Sequence, residues 1–320
     1  KLLLNKGADV NAQGREYGNA LQAALYRGHE QVIKLLLDKG ADVNAQGGEY
    51  GNALQAALDE GHVQVVKLLL DKGANVNCLG GSYGSFLNLL AFKGYTHLLR
   101  LVYEQYHAIQ NLADSHGRTA LQLAARSGHI NTFEYLLSLG LNPKTKDAKG
   151  DSLLHYASSG SSLQVLNVVL GKGLTSSPQS GHWTPLHWAC RTGNPNIIKR
   201  LIKEGLRSEC VTLPQPEGQW SPISIAIFHG NGKMLGELPA SCRSLLGAGA
   251  DSSAADAVQL NGRRYSGYWC DGCLYDIYGP RFHCRDCRDW DYCFMCKPFL
   301  DHLHENHSWE YIESSEESST

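Results

Sequence analysis

The chain has 320 residues, 42% of them hydrophobic and 19% charged, with 29 Lys and Arg against 31 Asp and Glu. That length allows two domains with buried cores, and the near-zero net charge excludes a generic nucleic-acid or membrane-surface binder. No apolar run approaches the roughly 20 residues that cross a bilayer, and Leu2–Leu4 is too short for the apolar region of a signal peptide.

From its first residues the sequence repeats itself. Gly7–Gln13 and Gly40–Gln46 both read GADVNAQ, and Gly73–Asn77 reads GANVN. Tyr17–Leu25 and Tyr50–Leu58 both read YGNALQAAL, again 33 residues apart. Fainter copies open at Gly117, Gly150, Trp183 and Trp220. A leucine recurs at Leu21, Leu54, Leu87, Leu121, Leu154 and Leu186, with Ile223 in the last unit.

Each unit predicts the same elements. A Gly-rich polar stretch gives a turn, followed by a short Ala-rich helix such as Ala20–Arg27, in which Ala23 and Ala24 allow close helix approach. Gly28-His29 breaks it, and a second helix, Glu30–Lys39, carries Val32, Ile33, Leu35, Leu36 and Leu37 before stopping at Gly40. One such unit cannot bury its own apolar face, so neighbours must stack. Lys1–Asp9 corresponds to Lys34–Asp42, the middle of a second helix, so the chain is expected to open mid-repeat. Apolar surface is then expected at Leu2–Leu4 and around Leu21 and Leu25.

These units resemble the ankyrin repeat, most fully at Thr184–Ala189, which reads TPLHWA. The resemblance spans residues 1–251 and implies a mostly α solenoid of about seven repeats. The first is truncated, and the fourth, containing Phe86–Tyr106, and the last, longer around Pro239, are degenerate. It also implies partner binding through turn tips and inner helices. His155 and His187 occupy the repeat's histidine position, which implies a structural hydrogen-bonding role at the first helix, and His29, His62 and His129 read the same way. Tyr17, Tyr50 and Tyr83, with Glu16 and Glu49 alongside, form a column that either packs successive hairpins or meets a partner.

Residues 252–264 are polar with little periodicity and read as a linker. The charge changes sign around here: residues 1–265 carry 25 Lys and Arg against 20 Asp and Glu, and residues 266–320 carry 4 against 11. Six of the ten cysteines form three Cys-x-x-Cys pairs between Cys270 and Cys296, with histidines following. Such clustering points to metal rather than disulfides. The scattered Cys78, Cys190, Cys210 and Cys242 read as reduced fillers of small apolar sites, from which a reducing intracellular compartment is expected, the cytoplasm ahead of the nucleus. Two residues between cysteines let both thiolates reach one tetrahedral zinc, and eight ligands make two closed, structural sites.

Residues 265–312 resemble the ZZ-type zinc finger. The carriers are Cys270-Asp271-Gly272-Cys273, Ile277–Cys284 (IYGPRFHC), Asp289–Cys293 (DWDYC) and His304-x-x-His307, with Trp290, Tyr292 and His283 as mild departures. The resemblance implies a small α+β cross-brace. Zinc one would take Cys270, Cys273, Cys293 and Cys296. Zinc two would take Cys284, Cys287, His304 and His307, with His302 an alternative to His304. Two rivals remain at this point: a sequential two-finger arrangement, and a RING finger, although the histidine between cysteine pairs and the final Cys-x-x-Cys of a RING are missing. The resemblance further implies that Asp271, Asp289 and Asp291 receive the free α-amino group of a partner's N-terminus. Asp289 and Asp291 could instead pair with Arg281, Arg285 or Arg288, or cap local amides. The segment lacks a basic helix, so nucleic acid is not an expected ligand. Glu313–Thr320, only Ser, Glu and a final Thr, is expected to be a disordered acidic tail.

The expected function is a non-catalytic adaptor that binds protein or peptide partners and two zinc ions. The alternatives are the substrate-recognition part of a ubiquitin ligase, or part of a larger nucleotide-switch protein, given the similarity to repeat arrays of large fungal proteins. No Gly-rich phosphate loop, G-x-S-x-G or open metal site supports an enzyme.

Overall fold

The structure is a computed structural model that describes residues 2–14, 17–48, 50–106, 111–174, 183–206, 211–214, 217–229, 231–246, 264–270, 276–278, 281–286, 291–293 and 307–312. It divides into two compact units, residues 1–142 and 143–320.

The first unit opens with a single turn of helix, α1 (Leu2–Asn5), followed by four helix pairs. These are α2 and α3 (Ala20–Tyr26, Glu30–Asp38), α4 and α5 (Ala53–Asp59, Val63–Asp71), α6 and α7 (Phe86–Lys93, Thr96–Tyr106), and α8 and α9 (Ala120–Ser127, Ile130–Ser138). The first helix of each pair starts where a polar side chain caps it. Asn19 accepts from the Gln22 amide, Asn52 from Gln55 and Ser85 from Asn88. The second helix is amphipathic: on α3 Ile33 and Leu36 are buried, and on α5 Val65, Val66, Leu69 and Leu70. The Phe86–Tyr106 unit, degenerate in sequence, folds as a complete pair. Its buried positions Phe86, Leu87, Leu89, Leu90 and Ala91 remain apolar, and Gly94 closes α6 in the left-handed conformation.

The turns between pairs meet at glycine. Gly51 has φ 77°, and a Cβ there would lie 2.6 Å from the backbone of Gly80 and Gly81, so neighbouring hairpins touch main chain to main chain. Asparagine also ties the loops of neighbouring repeats together. Asn11 Nδ2 donates to the Gly40 carbonyl (3.2 Å), while its Oδ1 accepts from the Asp42 amide (2.7 Å). Asn44 repeats both bonds one unit later, to Gly73 (3.1 Å) and from Asn75 (2.7 Å). The recurrence of Asn in GADVN is therefore a cross-repeat hydrogen-bond ladder.

Two expectations need correction. Leu2 and Leu3 are exposed, but Leu21 and Leu25 are 1% and 0% exposed, because α4 packs over α2. His29, His62 and His129 each precede a second helix without any side-chain capping bond. The rings of His62 and His129 instead lie against Gly28 and Gly94 of the preceding repeats, where a Cβ would come within 2.8 and 2.4 Å.

In the second unit, three helix pairs continue the pattern: α10 and α11 (Leu153–Ser159, Leu163–Gly171), α12 and α13 (Pro185–Thr192, Pro195–Lys203), and α14 with α15 (Pro222–Phe228, Ala240–Leu246). A 3-10 stretch, Gly232–Glu237, precedes Pro239 and α15 and takes up the extra length of the last repeat. Strands β1 (Val211–Pro214) and β2 (Glu217–Trp220) form an antiparallel hairpin ahead of α14. The histidine position behaves as expected. The Ser152 amide donates to His155 Nδ1 (3.0 Å), and the Thr184 amide to His187 Nδ1 (3.2 Å). In the first unit Gln22 and Gln122 fill the same role with their Oε1, accepting from Asn19 and Thr119.

Beyond the repeats lie two small sheets. Strands β3 (Arg264–Trp269) and β4 (Asp276–Tyr278) pair antiparallel. Strand β5 (Arg281–Cys284) is central in the other, between β6 (Asp291–Cys293) and β7 (Trp309–Ile312), both antiparallel to it. Among the described residues, no helix is long and apolar enough to cross a membrane.

Candidate metal centre and recognition surface

The central strand β5 sorts its side chains by alternation. Phe282 and Cys284 are buried, at 4% and 0% exposure, while Arg281 and His283 face the other side. Phe282 packs against Tyr311 of β7, ring centroids 5.4 Å apart. The ladder with β7 ends at Cys284 opposite Trp309, and one further backbone bond, from Arg285 N to Ser308 O (3.0 Å), prolongs it. His307 is thereby set beside Cys284, with Nδ1 3.3 Å from Sγ.

Asp286 completes the cluster. Its Oδ2 accepts from the Ser308 amide (2.6 Å) and from the Ser308 hydroxyl (2.8 Å). These two bonds hold its carboxyl below the usual carboxylate range. Donor atoms of Cys284, Asp286 and His307 all lie within 4.8 Å of one another.

Zinc fits this geometry. Zn–S near ~2.3 Å and Zn–N near ~2.0 Å at a tetrahedral angle separate sulfur from nitrogen by about 3.5 Å. The 3.3 Å between Cys284 Sγ and His307 Nδ1 falls close to that span. Of the expected ligands of zinc one, Cys270 follows β3 and is fully buried, and Cys293 ends β6, which touches both β3 and β4. Cys273, Cys287, Cys296, His302 and His304 lie outside the described residues, as do Asp271 and Asp289.

The remaining expected amine acceptor, Asp291, is 5% exposed and opposes His283 across the β5–β6 pair. Both its oxygens accept from Arg281 Nη1 (3.2 Å each), and Oδ1 also lies 3.2 Å from His283 Nδ1. Of the roles open to Asp291, pairing with arginine is the one visible here. Asp286 escaped sequence reasoning, although an acidic residue between paired cysteines was a signal available to find it.

On the repeats, the tyrosine column packs. Tyr17 lies 5.3 Å from Tyr26, and Tyr26 lies 6.0 Å from Tyr50 of the next repeat. Tyr83 stacks on Phe92 at 4.7 Å. The Tyr50 hydroxyl donates to Glu60 (2.8 Å), and burial together with that bond raises its pKa. Burial pushes the Tyr83 hydroxyl up to about 12. All four tyrosines stay half-buried, so their outer edges still meet solvent. Glu16 and Glu49 lie outside the described residues. Next to the column, Asp59 holds Lys93 of the following repeat at 2.6 Å, and Arg126 lies over the Phe92 ring at 5.8 Å.

A family profile described as ankyrin repeats matches residues 1–79, 87–178 and 154–256. Protein fem-1 homolog A-like of Mus musculus is 33% identical over 93 residues, covering 29% of this chain and 14% of that protein. Ankyrin repeat domain-containing protein SAT10 of Stachybotrys chartarum is 26% identical over 184 residues, covering 53% of this chain and 9% of that protein. The E3 ubiquitin-protein ligase KEG of Arabidopsis thaliana is 28% identical over 152 residues, covering 46% of this chain and 9% of that protein. In each case the match takes in well under a fifth of the relative's own length.

Proposed function

Because this chain belongs to the ankyrin-repeat family, whose repeats mediate protein interaction, we propose that it is a non-catalytic adaptor with a second, zinc-built recognition module at its C-terminal end. The first role follows from the family and from the half-buried aromatic and charged strip along the first helices. The second rests on the convergence of Cys284 and His307 at the end of the β5–β7 ladder. The profile match ends at residue 256, so the zinc reading stands on these residues and on the spacing of the cysteines.

The proposed sites are those of a ZZ-type cross-brace: Cys270, Cys273, Cys293 and Cys296 for one ion, and Cys284, Cys287, His304 and His307 for the other. Closed four-coordinate sites of this kind supply folding energy rather than catalysis. The proposed ligand of the module is a free protein or peptide N-terminus, received by the acceptor-only carboxylates of Asp271, Asp289 and Asp291. The ion pair with Arg281 reduces what Asp291 can offer, which puts more of that recognition on Asp271 and Asp289.

Calorimetric titration of the full chain with peptides bearing free and acetylated N-termini tests this reading. Binding should vanish on acetylation. Equal affinity for both peptides would remove the amine-recognition role and leave the module's ligand of another kind.

A further inference from the structure

We propose that Asp286 is the positioning residue of the second zinc site: by gripping Ser308 through two hydrogen bonds, it fixes His307 beside the Cys284 sulfur. This rests on the zinc reading above.

Among the described residues, the β5–β7 ladder reaches as far as Ser308, whose carbonyl accepts from Arg285 N at 3.0 Å. His307 lies one residue beyond that last ladder bond. The Asp286 carboxylate takes the two remaining donors of Ser308, its amide at 2.6 Å and its hydroxyl at 2.8 Å, on a single oxygen. Ser308 is thus held at its amide, its hydroxyl and its carbonyl. The peptide unit leaving His307 has little freedom left, and the imidazole reaches Sγ of Cys284 at 3.3 Å. Metal sites depend on such supporting bonds, because a ligand already oriented loses little entropy when the ion arrives.

The rival role, Asp286 as a ligand itself, fits less well. The oxygen that would coordinate already receives two short hydrogen bonds, and a zinc–oxygen bond of ~2.0–2.2 Å would have to displace them. A carboxylate is also not needed for charge, since two thiolates already neutralise the ion.

The test compares the full 320-residue chain with its Asp286→Ala, Asp286→Asn and Ser308→Ala variants. The readouts are zinc stoichiometry by native mass spectrometry, release to a chromophoric chelator, and the visible spectrum of the cobalt-substituted protein. The parent should hold two zinc ions. Asp286→Ala should still hold two at saturation but surrender one of them roughly 10- to 100-fold more readily. Asp286→Asn, which keeps an acceptor for both Ser308 donors, should stay near the parent, and Ser308→Ala should fall between. Cobalt–thiolate absorption should keep its intensity and position in all three, because no ligand atom changes.

Parent-like retention by Asp286→Ala overturns the proposal while leaving the zinc reading intact. A loss in Asp286→Asn equal to that in Asp286→Ala, or an altered cobalt spectrum, also overturns it, since either makes the carboxylate a ligand. If Asp286→Ala takes up no metal at all, Ser308→Ala decides, and parent-like retention there overturns the proposal. A parent chain that binds no zinc overturns both readings together.

Discussion

His187 joins two repeats through one ring: Nδ1 accepts from the amide of Thr184, and Nε2 lies 3.0 Å from the backbone carbonyl of Trp220. The neutral tautomer with its proton on Nε2 satisfies both. Burial drives the pKa down to about 4, against an ordinary value of 6.5. Protonation would force a second proton onto Nδ1, which faces the Thr184 N–H. The stability His187 provides is therefore complete above pH 6.5 and is lost as pH falls toward 4. The loss is on the order of 3 kcal/mol. His187→Gln offers the same acceptor and donor without titrating, as Gln22 does in its own repeat. Urea midpoints measured between pH 7.5 and 4 should fall less steeply in His187→Gln than in the parent. Parallel curves would show that the ring does not carry the pH dependence. His155, also lowered by burial, supplies part of the slope that remains.

Gly51 and Gly40 separate strain from contact. Both have positive φ, 77° and 84°, but a Cβ on Gly40 meets nothing within 4 Å. Gly40→Ala should cost about 1 kcal/mol of left-handed strain. Gly51→Ala adds a collision with the Gly80 backbone at 2.6 Å, and nothing flexible can move aside. It should cost at least about 2 kcal/mol more, an overpacking penalty. Equal denaturation midpoints for the two variants would mean that the hairpins do not touch.

Asn44 holds its neighbouring loops with two bonds, one donated to Gly73 and one accepted from Asn75. Both are solvent-exposed, so Asn44→Ala should lower stability by about 1 kcal/mol and Asn44→Asp, which keeps only the acceptor, by about half that. Chemical denaturation of the three proteins checks the order. An Asp variant weaker than Ala would argue against the acceptor bond.

Chelation should divide the molecule. If the proposed zinc ions are removed, the β5–β7 strands lose the ions that would close them, while α2–α14 rest on apolar burial and cross-repeat hydrogen bonds that need no metal. Circular dichroism at 222 nm should barely change on adding chelator. Hydrogen exchange should accelerate in residues 281–286 and 307–312 and stay slow around Leu54, Leu58 and Val66. Exchange that accelerates equally in both places would show that the two regions unfold together.

The repeats could be read from the sequence because their signals are local. Cap, leucine, alanine pair and terminal glycine fall inside a dozen residues, and the structure follows them even where Phe86–Tyr106 drifts from the pattern. What escaped the sequence depends on register and on neighbours. The repeat pattern predicts a hydrogen-bonding role for His62, but its ring rests on Gly28 of the preceding repeat. The exposure expected at Leu21 and Leu25 failed because α4 covers them from the next repeat. Asp286 meets Ser308 only because β7 sets Ser308 opposite the adjacent Arg285, an alignment fixed by the Cys284–Trp309 pair 25 residues apart in sequence. The pairing of Asp291 with Arg281 and His283 likewise depends on the His283–Asp291 register.

The glycine contact between hairpins has a consequence for how such a chain can lengthen. Gly18 approaches Gly47 as Gly51 approaches Gly80, so each early repeat offers its successor the same surface that its predecessor offered it. This head-to-tail interface never closes on itself. A tandem duplication of one 33-residue block therefore arrives already fitted on both sides, with no new contact to be selected. Tyr17–Leu25 and Tyr50–Leu58, identical in sequence, are two blocks that meet this condition.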